Sequence, residues 1–354
     1  DHGTYEIDAV IKRKTDWYTI DMVRHKGADG REHYYSSKPP LLPTLLAGEY
    51  WLLKVTAGVT LEENPFYIAR VVLVVSNVLP LVLYFVVLAW VIESLGSNDW
   101  SKLFVMACAT WGTFLTTFAV TVNNHLPGAI SVLLATYAAI RILHHDDLRL
   151  RWFTIGGLFS AFAVTNELPA LALFVMLFAV FLWRAPKQTA IAFVPASAII
   201  AIAFLATTYL AHDSLRPPYA HRHDGEVVVI AALPQSDFNP VAALETIRAE
   251  LSDVGIDISP AASITETAKP NRWVLWDADG EDRYAILPTA AGVEVREWDT
   301  WYEYEGSYWT PENKAGVDKG EHSRAVYAFH SLIGHHGVFS LTPIWLISIV
   351  GMAI

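Results

Sequence analysis

Long apolar runs alternate with short polar segments along most of this chain. The apolar runs are uncharged apart from Arg141, and they cover residues 71–92, 103–122, 126–143, 152–166, 168–183, 189–211 and 337–354. A helix needs roughly 20 consecutive apolar residues to cross the hydrocarbon core of a bilayer. The pattern therefore predicts an all-α polytopic membrane protein, with a bundle of six helices at residues 67–211 and the start of a further helix at residues 337–354.

Two of these runs are short, and only Glu167 separates them. A single helix over residues 152–183 would be about 48 Å long at a rise of about 1.5 Å per residue, which exceeds the thickness of the hydrocarbon core. Two shorter helices with a hairpin tip at residues 166–167 avoid that excess. The sequence therefore favours the hairpin.

The distribution of positive charge gives the orientation that this arrangement predicts. The hairpin puts three loops on one side of the membrane, and their basic residues are Lys102, Arg149, Arg151, Arg184 and Lys187. The opposite turns, at residues 123–125 and 166–167, contain no Lys or Arg. Since cytoplasmic loops are enriched in Lys and Arg, the first set is expected in the cytoplasm. We therefore expect a multi-pass protein integral to the inner membrane, with residues 1–66 and 212–336 outside.

Composition supports this interpretation and excludes other classes of protein. The 354 residues are 53% hydrophobic and only 17% charged, whereas soluble proteins carry about a quarter charged residues. The net charge of −11 arises from residues 212–330, which hold 21 acidic and 10 basic residues. No basic surface for nucleic acid is therefore expected. A single cysteine, Cys108, excludes a disulfide within the chain.

The acidic segment, residues 212–336, has the pattern of a small α+β domain inserted outside the membrane. Residues 227–233 predict a strand and residues 240–252 a helix. Residues 273–276 and 284–287 flank a turn-rich stretch and predict a hairpin, and the alternation at residues 293–304 predicts another strand. Residues 1–66 are expected to be an outer loop with interfacial helices.

One polar cluster lies just before an apolar segment near the amino terminus. Lys38 precedes Pro39 and Pro40, which are typical residues for the start of a helix. An ammonium group at the membrane interface could neutralise a lipid phosphate. It could equally be a lysine that extends towards headgroups without a specific role.

Three further polar clusters lie at the same predicted face. His125 and Glu167 lie in the two outer turns, and His335 and His336 follow His330 before the last apolar run. A carboxylate at membrane depth is costly unless it is paired or faces water, so Glu167 is a functional candidate. The alternatives are a helix cap at His125, interfacial placement of Glu167, and, for the histidines, a metal site, phosphate binding or simple interfacial polarity. The residues alone are compatible with lipid-linked chemistry, transport or sensing.

A resemblance to a known family narrows these options. The Lys-Pro-Pro-Leu segment within residues 34–43, the upstream residues 3–8 and the two outer turns resemble membrane glycosyltransferases of the GT-C fold. Protein O-mannosyltransferases and lipid A aminoarabinose transferases are the nearest in pattern. The resemblance covers residues 1–211. It implies a GT-C-like helical bundle that transfers a sugar from a polyprenyl-phosphate donor to a glycan, lipid or protein acceptor at the outer face.

The resemblance also implies roles for particular residues. Lys38 matches the lysine that binds the lipid phosphate in this family, and His125, His335 and His336 would assist it. The family's catalytic carboxylate follows its first helix and is expected here upstream of Asp1, so both ends of the chain look truncated. Within the chain, Asp8 is the candidate that could replace this catalytic carboxylate, and Glu167 is the second catalytic candidate. We expect residues 1–354 alone to be inactive. The resemblance identifies no certain cofactor, and a divalent metal is compatible with the chemistry.

Two other classes of function remain as alternatives. A transporter would also place polar groups near the membrane, although the chain shows no internal repeat of the kind that many transporters have. An envelope sensor would use the acidic outer domain to bind a ligand, and it would need no lysine at the interface.

Overall fold

The structure is a computed structural model that describes residues 3–11, 19–233, 238–267, 269–277, 282–334 and 337–353. The chain divides into two compact units. Asp1–Lys38 and Thr208–Lys319 form the first, here called the sheet unit, and Pro39–Thr207 and Gly320–Ile354 form the second, here called the helical unit. Residues 1–38 therefore belong with the acidic domain, whereas the sequence placed all of residues 1–66 in a separate outer loop.

Helices make up most of the described chain. In chain order they are α1 Asp8–Ile11, α2 Leu41–Ala57, α3 Pro65–Leu95, α4 Asp99–Trp111, α5 His125–Leu143, α6 Leu150–Asn166, α7 Leu171–Arg184, α8 Pro186–His212, α9 Pro240–Asp253, α10 Arg324–Leu332, α11 Val338–Leu341 and α12 Ile344–Ala353. Helices α3 and α8 each include one π-helical turn, Val74–Val78 and Thr189–Phe193 respectively.

Three helices in the described part of the chain are long and apolar enough to cross a membrane, namely α3, α5 and α8. The most apolar stretches of α3 and α8 are only 22% and 28% buried within the protein. Side chains such as Ile202 and Leu210 on α8 are 67% and 71% exposed. Exposure of so much apolar surface to water is unfavourable, so these helices indicate a membrane protein.

Two of the other predicted membrane segments, residues 103–122 and 168–183, form helices that are shorter than the apolar runs, namely α4 and α7. The run at residues 103–122 was expected to be one helix, but α4 begins at Asp99 and ends at Trp111. A capping box between Asn98 and Ser101 fixes its start, and Gly112 follows its last residue. Of the helices α3 to α8, three have spanning length, namely α3, α5 and α8, and the other three are shorter, so residues 67–211 form only in part the six-helix membrane bundle that the sequence predicts.

The segment around Glu167 forms two helices, as the length argument required. Helix α6 ends at Asn166, a short 3-10 turn spans Leu168–Ala170, and α7 follows. Phe153 on α6 packs against Phe181 on α7, with ring centroids 5.5 Å apart. Both rings are fully buried and belong to the core of the helical unit.

The last apolar run is interrupted rather than continuous. Residues 337–354 were expected to start one membrane helix, but α11 ends at Leu341 and α12 begins at Ile344. Thr342 has φ −135° and ψ 73°, outside the helical region. Because a proline disfavours helical geometry in the residue before it, Pro343 accounts for this break.

The sheet unit contains two antiparallel sheets. Its strands are β1 Met22–Lys26, β2 Glu32–Ser36, β3 Val227–Ala231, β4 Ser263–Glu266, β5 Trp273–Asp277, β6 Asp282–Thr289 and β7 Gly292–Glu297. Strands β1 and β2 form a hairpin, and the other five follow the order β3-β7-β6-β5-β4. Helix α9 packs on β3 and β4, with Ile247 and Leu251 fully buried. The predicted small α+β domain has this form, although the strand expected at residues 293–304 ends at Glu297.

The β1–β2 hairpin lies within residues 1–66, which the sequence predicted to be an outer loop with interfacial helices. Val23 and Tyr35 are buried in a cluster with Trp301 and Tyr302. Backbone bonding supports the same placement, because Arg24 N–H donates to the carbonyl of Trp301 at 2.8 Å. The hairpin is therefore part of the core of the sheet unit.

Candidate functional site

Lys38 lies at the end of the sheet unit, two residues after β2. Its Nζ is 3.3 Å from Asp21 Oδ1, and the two side chains are 52% and 37% exposed. An ion pair exposed to this degree contributes little to stability, since water screens it. The ammonium of Lys38 can therefore exchange Asp21 for another anion at small cost.

An apolar helix follows Lys38 directly in the chain. Helix α2 begins at Leu41, after Pro39 and Pro40, and it exposes Trp51 and Val55 by 63% each. Exposed aromatic and aliphatic side chains of this kind are typical of helices at a membrane surface. The sequence order thus places a cation immediately before a helix suited to the lipid interface.

The helical unit brings the two polar turns of the sequence together. The Asn124 side-chain amide donates to the carbonyl of Asn166 at 2.8 Å and to Glu167 Oε1 at 2.7 Å. His125 Nδ1 also contacts Glu167 Oε1. Glu167 is 35% exposed and His125 56% exposed, so the pair is open to solutes. A carboxylate held by an imidazole and an amide can accept a proton from a bound hydroxyl.

The opposite ends of the same helices are joined by a second set of contacts. Ser94 Oγ, in the last turn of α3, is 2.7 Å from His145 Nε2, and Arg184 at the end of α7 contacts Asp146. These residues belong to the three loops that the charge distribution grouped on one side. The contacts give an antiparallel arrangement in which the Glu167 turn and the basic loops lie at different ends of α6.

Asp8 contacts a histidine in the sheet unit. His33 Nδ1 is 3.2 Å from Asp8 Oδ2 and 4.0 Å from Glu6 Oε2, while His33 Nε2 is 3.1 Å from Asp29 Oδ1. Partial burial opposes a positive charge on His33. The hydrogen bond that His33 donates to Asp29 and the negative charges of Glu6 and Asp8 outweigh this effect and raise the pKa of the imidazole. Asp8 is therefore engaged with His33 rather than free in a loop.

A column of aromatic rings in the sheet unit was not identified from the sequence. His25 stacks on Tyr35 and on Trp301, with ring centroids 4.2 Å and 4.0 Å apart, and His221 stacks on Trp301 at 3.5 Å. His25 and His212 are separated by 187 positions in the sequence, yet His25 Nε2 lies 3.0 Å from His212 Nδ1. No local sequence signal links residues at this separation.

The hydrogen bonds define the protonation of this cluster. His25 Nδ1–H donates to the carbonyl of Lys26 at 2.8 Å, so its Nε2 accepts from His212 Nδ1–H. The remaining nitrogen, His212 Nε2, is buried and has no hydrogen-bond partner among the described residues. Both imidazoles are neutral in this arrangement. They border a cavity of about 530 Å³ that is also lined by Arg24, Asp213 and Trp298.

The neutral state of His25 predicts a pH dependence for the stability of the protein. Burial lowers the pKa of His25 to about 4, although the hydrogen bond to Lys26 opposes the shift and the neighbouring His221 and His33 add to it. The unfolded chain binds a proton near pH 6.5 that the folded chain resists, so stability is present above pH 6.5 and is lost as pH falls towards 4. We expect a loss of roughly 3 kcal/mol from this group over that interval. Denaturant titrations at pH 7.5 and pH 4.5, followed by tryptophan fluorescence, would measure it.

A variant separates this contribution from other titrating groups. Phenylalanine at position 25 can stack between Tyr35 and Trp301 but cannot bind a proton. His25→Phe should therefore show a smaller loss of stability between the two pH values than the wild type, whereas the exposed His322→Phe should behave as the wild type. An equal loss in His25→Phe would show that His25 does not carry the effect.

The remaining predicted site residues are the histidines that precede the last apolar run. His335 and His336 lie outside the described residues. His330, which precedes them, is exposed on α10. Among the described residues, the structure thus brings Glu167 together with His125 in the helical unit, and it holds Lys38 with Asp21, and Asp8 with His33, in the sheet unit.

Comparison with known proteins adds no relative. No protein-family model, no curated protein and no solved structure matches this chain. The fold and the helices therefore define a class only: a partly helical membrane protein that has, among the described residues, three helices of spanning length and a small antiparallel β-sheet domain.

Proposed function

We propose that this protein is a membrane glycosyltransferase that moves a sugar from a polyprenyl-phosphate donor to an acceptor hydroxyl at the outer face of the membrane. The observation that carries the proposal is Lys38, a half-exposed ammonium with a weak ion pair, directly before an exposed apolar helix. A lipid phosphate presents both features that this segment fits: an anion, and a hydrocarbon chain attached to it.

The reaction makes simple chemical demands. The acceptor oxygen attacks the anomeric carbon of the sugar and forms the new glycosidic bond, while its proton passes to a carboxylate. The bond between the anomeric carbon and the phosphate oxygen breaks, and its electron pair stays with the lipid phosphate. A cation held at that phosphate stabilises the charge that develops as the bond breaks. We assign this role to Lys38.

Glu167 is the carboxylate that we assign to the proton. Asn124 and His125 hold its Oε1, and its side chain is partly exposed. Asp8 is less suited to this role, because its side chain is 23% exposed, against 35% for Glu167, and it also accepts a hydrogen bond from the backbone N–H of Tyr34 at 3.4 Å.

Binding of polyprenyl phosphate without a sugar tests the role of Lys38 apart from turnover. A hydrogen bond to a charged group contributes about 1.5–3 kcal/mol, so Lys38→Ala should weaken binding roughly 10- to 100-fold. Lys38→Arg keeps the charge and should retain part of the affinity. The measurement is a titration of the full-length protein in lipid nanodiscs with labelled polyprenyl phosphate.

Lys54 provides the matched control for this experiment. It is an exposed lysine in the last turn of α2, so Lys54→Ala removes the same charge from the same segment. It should bind polyprenyl phosphate as the wild type does. Equal affinities of Lys38→Ala and the wild type would mean that Lys38 only extends towards headgroups, and the proposal would lose the observation that carries it.

A further inference from the structure

The cluster around His33 has the ligand types of a metal site. Glu6, Asp8 and His33 each offer one ligand atom, and these atoms lie within 4.8 Å of one another. Both carboxylates approach the same ring nitrogen: Asp8 Oδ2 lies 3.2 Å and Glu6 Oε2 4.0 Å from His33 Nδ1. One imidazole and two carboxylates form a ligand set that Zn²⁺ accepts in proteins.

The backbone holds the two segments of this cluster in register. Ile7, between the two carboxylates, donates its N–H to the carbonyl of Tyr34 at 2.9 Å. Tyr34 follows His33 on β2, and its own N–H donates to Asp8 Oδ2 at 3.4 Å. The main-chain bond of Ile7 therefore keeps the segment that carries Glu6 and Asp8 beside His33, and this bond does not depend on the charge of the cluster.

A fourth residue orients the histidine. Asp29 Oδ1 is 3.1 Å and Oδ2 is 3.2 Å from His33 Nε2. Asp29 is itself held in the turn of the hairpin, where its Oδ1 accepts the backbone N–H of Arg31 at 3.0 Å. A metal-bound histidine almost always donates its other ring N–H to a carboxylate or carbonyl, which fixes its tautomer. Asp29 supplies that partner.

A neutral His33 would need a cation between its ring and the carboxylates of Asp8 and Glu6. A neutral imidazole has one N–H and one lone pair. When Nε2–H donates to Asp29, the lone pair of Nδ1 faces the oxygens of Asp8 and Glu6, which carry only lone pairs as well. Such an arrangement is repulsive unless a positive charge lies between the nitrogen and the oxygens.

We propose that Glu6, Asp8 and His33 bind a Zn²⁺ ion in the sheet unit, with Asp29 orienting the imidazole. Two ligands about 2.0 Å from a tetrahedral ion lie about 3.3 Å apart, and Asp8 and His33 already have that separation. Glu6 Oε2 lies 4.0 Å from His33 Nδ1 and has to come about 0.7 Å closer to this nitrogen, and its side chain is 38% exposed. Three protein ligands leave the fourth position to water.

This inference is independent of the proposed sugar transfer. Zinc binding requires neither Lys38 nor Glu167, and its failure would leave the transferase proposal intact. The metal binds the amino-terminal segment to the β1–β2 hairpin, so its first expected effect is on the stability of this region.

Zinc titration of the purified full-length protein tests the site. The protein is stripped with a chelator, and Zn²⁺ is added alone at pH 7.5 in the presence of a competing indicator. We expect one bound Zn²⁺ to be lost, or its affinity to fall at least 100-fold, in His33→Ala. Glu6→Gln changes an exposed residue with little risk to folding, and it should weaken binding at least 10-fold. Asp29→Asn should weaken binding 10- to 100-fold through the orientation of His33.

The exposed His322→Ala is the matched control, and it should bind zinc as the wild type does. Zinc should also raise the unfolding temperature of the wild type and of His322→Ala but not that of Glu6→Gln. If Glu6→Gln and His33→Ala both bind zinc with wild-type affinity and stoichiometry, the site does not exist. If zinc does not raise the unfolding temperature of the wild type, the inference is wrong. The positive charge between the imidazole and the carboxylates is then a proton on His33.

Discussion

Replacing Arg272 by alanine is expected to destabilise the sheet unit by about 3–5 kcal/mol. Arg272 is 3% exposed and lies at the start of β5. Its guanidinium donates to both oxygens of Asp224, and its Nη1 donates to Glu303 Oε1 at 2.7 Å. Removal of the arginine would leave the partly buried carboxylate of Asp224 without its positive partner, and Glu303 with Lys269 alone.

The electrostatics of Asp224 support this expectation. Burial alone would raise the pKa of Asp224, but the hydrogen bonds and charge of Arg272 outweigh burial and lower it. The carboxylate is therefore charged in the folded protein because Arg272 is present. Arg272 also stacks over the ring of Trp298, with its guanidinium carbon 4.5 Å from the ring centroid, so the loss includes packing as well as charge.

Denaturant unfolding of the purified protein, followed by tryptophan fluorescence, would measure the effect. Arg272→Lys should recover little of the loss, because an ammonium group cannot make the two-pronged contact with Asp224. Arg296→Ala is the control: this arginine pairs with Glu294 on the same strand, is 32% exposed and should change stability by less than about 1 kcal/mol. A loss for Arg272→Ala no larger than that of Arg296→Ala would contradict the account of the sheet unit.

Glu167→Gln is expected to reduce sugar transfer by about 10²- to 10⁴-fold, the usual range for loss of a general base. Glutamine keeps the size of the side chain and an oxygen that can still accept from Asn124 and His125. Folding should therefore be little changed while proton transfer is lost. The measurement is the turnover of a polyprenyl-phosphate-linked sugar by the full-length protein in liposomes.

Glu93→Gln is the matched control for this prediction. Glu93 lies near the end of α3, is 74% exposed and pairs with Lys102. Its replacement removes one carboxylate from the helical unit without touching the polar turns, so turnover should be unchanged. Wild-type turnover in Glu167→Gln, with normal insertion in the membrane, would reduce Glu167 to a residue that joins two turns.

Much of the helical unit could be predicted because apolar runs and helix length are local properties. The apolar pattern located α3, α5 and α8, and the length limit required a break at Glu167. The end of α4 at Trp111 was missed, because the apolar run continues past Gly112 while the helix does not. Hydropathy shows where a segment is apolar, but it does not show where the backbone leaves the helical region.

The sheet unit was predicted only where its strands are strongly apolar. Residues 273–276 and 284–287 were expected to pair, and β5 and β6 do so. The β1–β2 hairpin was missed because its strands, such as Glu32–Ser36, are largely polar, and only contact with the distant Trp301 buries them. Burial of this kind depends on tertiary contacts that no local pattern contains.

The contacts at the candidate sites also differ in how far the sequence could predict them. The two polar turns meet because antiparallel helices α5 and α6 bring their ends together, which follows from helix lengths. The pairing of His25 with His212 and of Glu6 and Asp8 with His33 depends on contacts between segments far apart in the chain, which the sequence does not reveal. The role of Lys38 remains a prediction that rests on a resemblance and on its position before α2.

Release of polyprenyl phosphate tests the central claim most directly. The full-length protein in liposomes would be given one hexose and one pentose on polyprenyl phosphate, and the free lipid phosphate would be measured by mass spectrometry. The proposal predicts release above that of empty liposomes from at least one donor, a loss of at least 10-fold in Lys38→Ala, and wild-type release in Lys54→Ala. Release no greater than that of empty liposomes from either donor, or equal release by Lys38→Ala and the wild type, would contradict it.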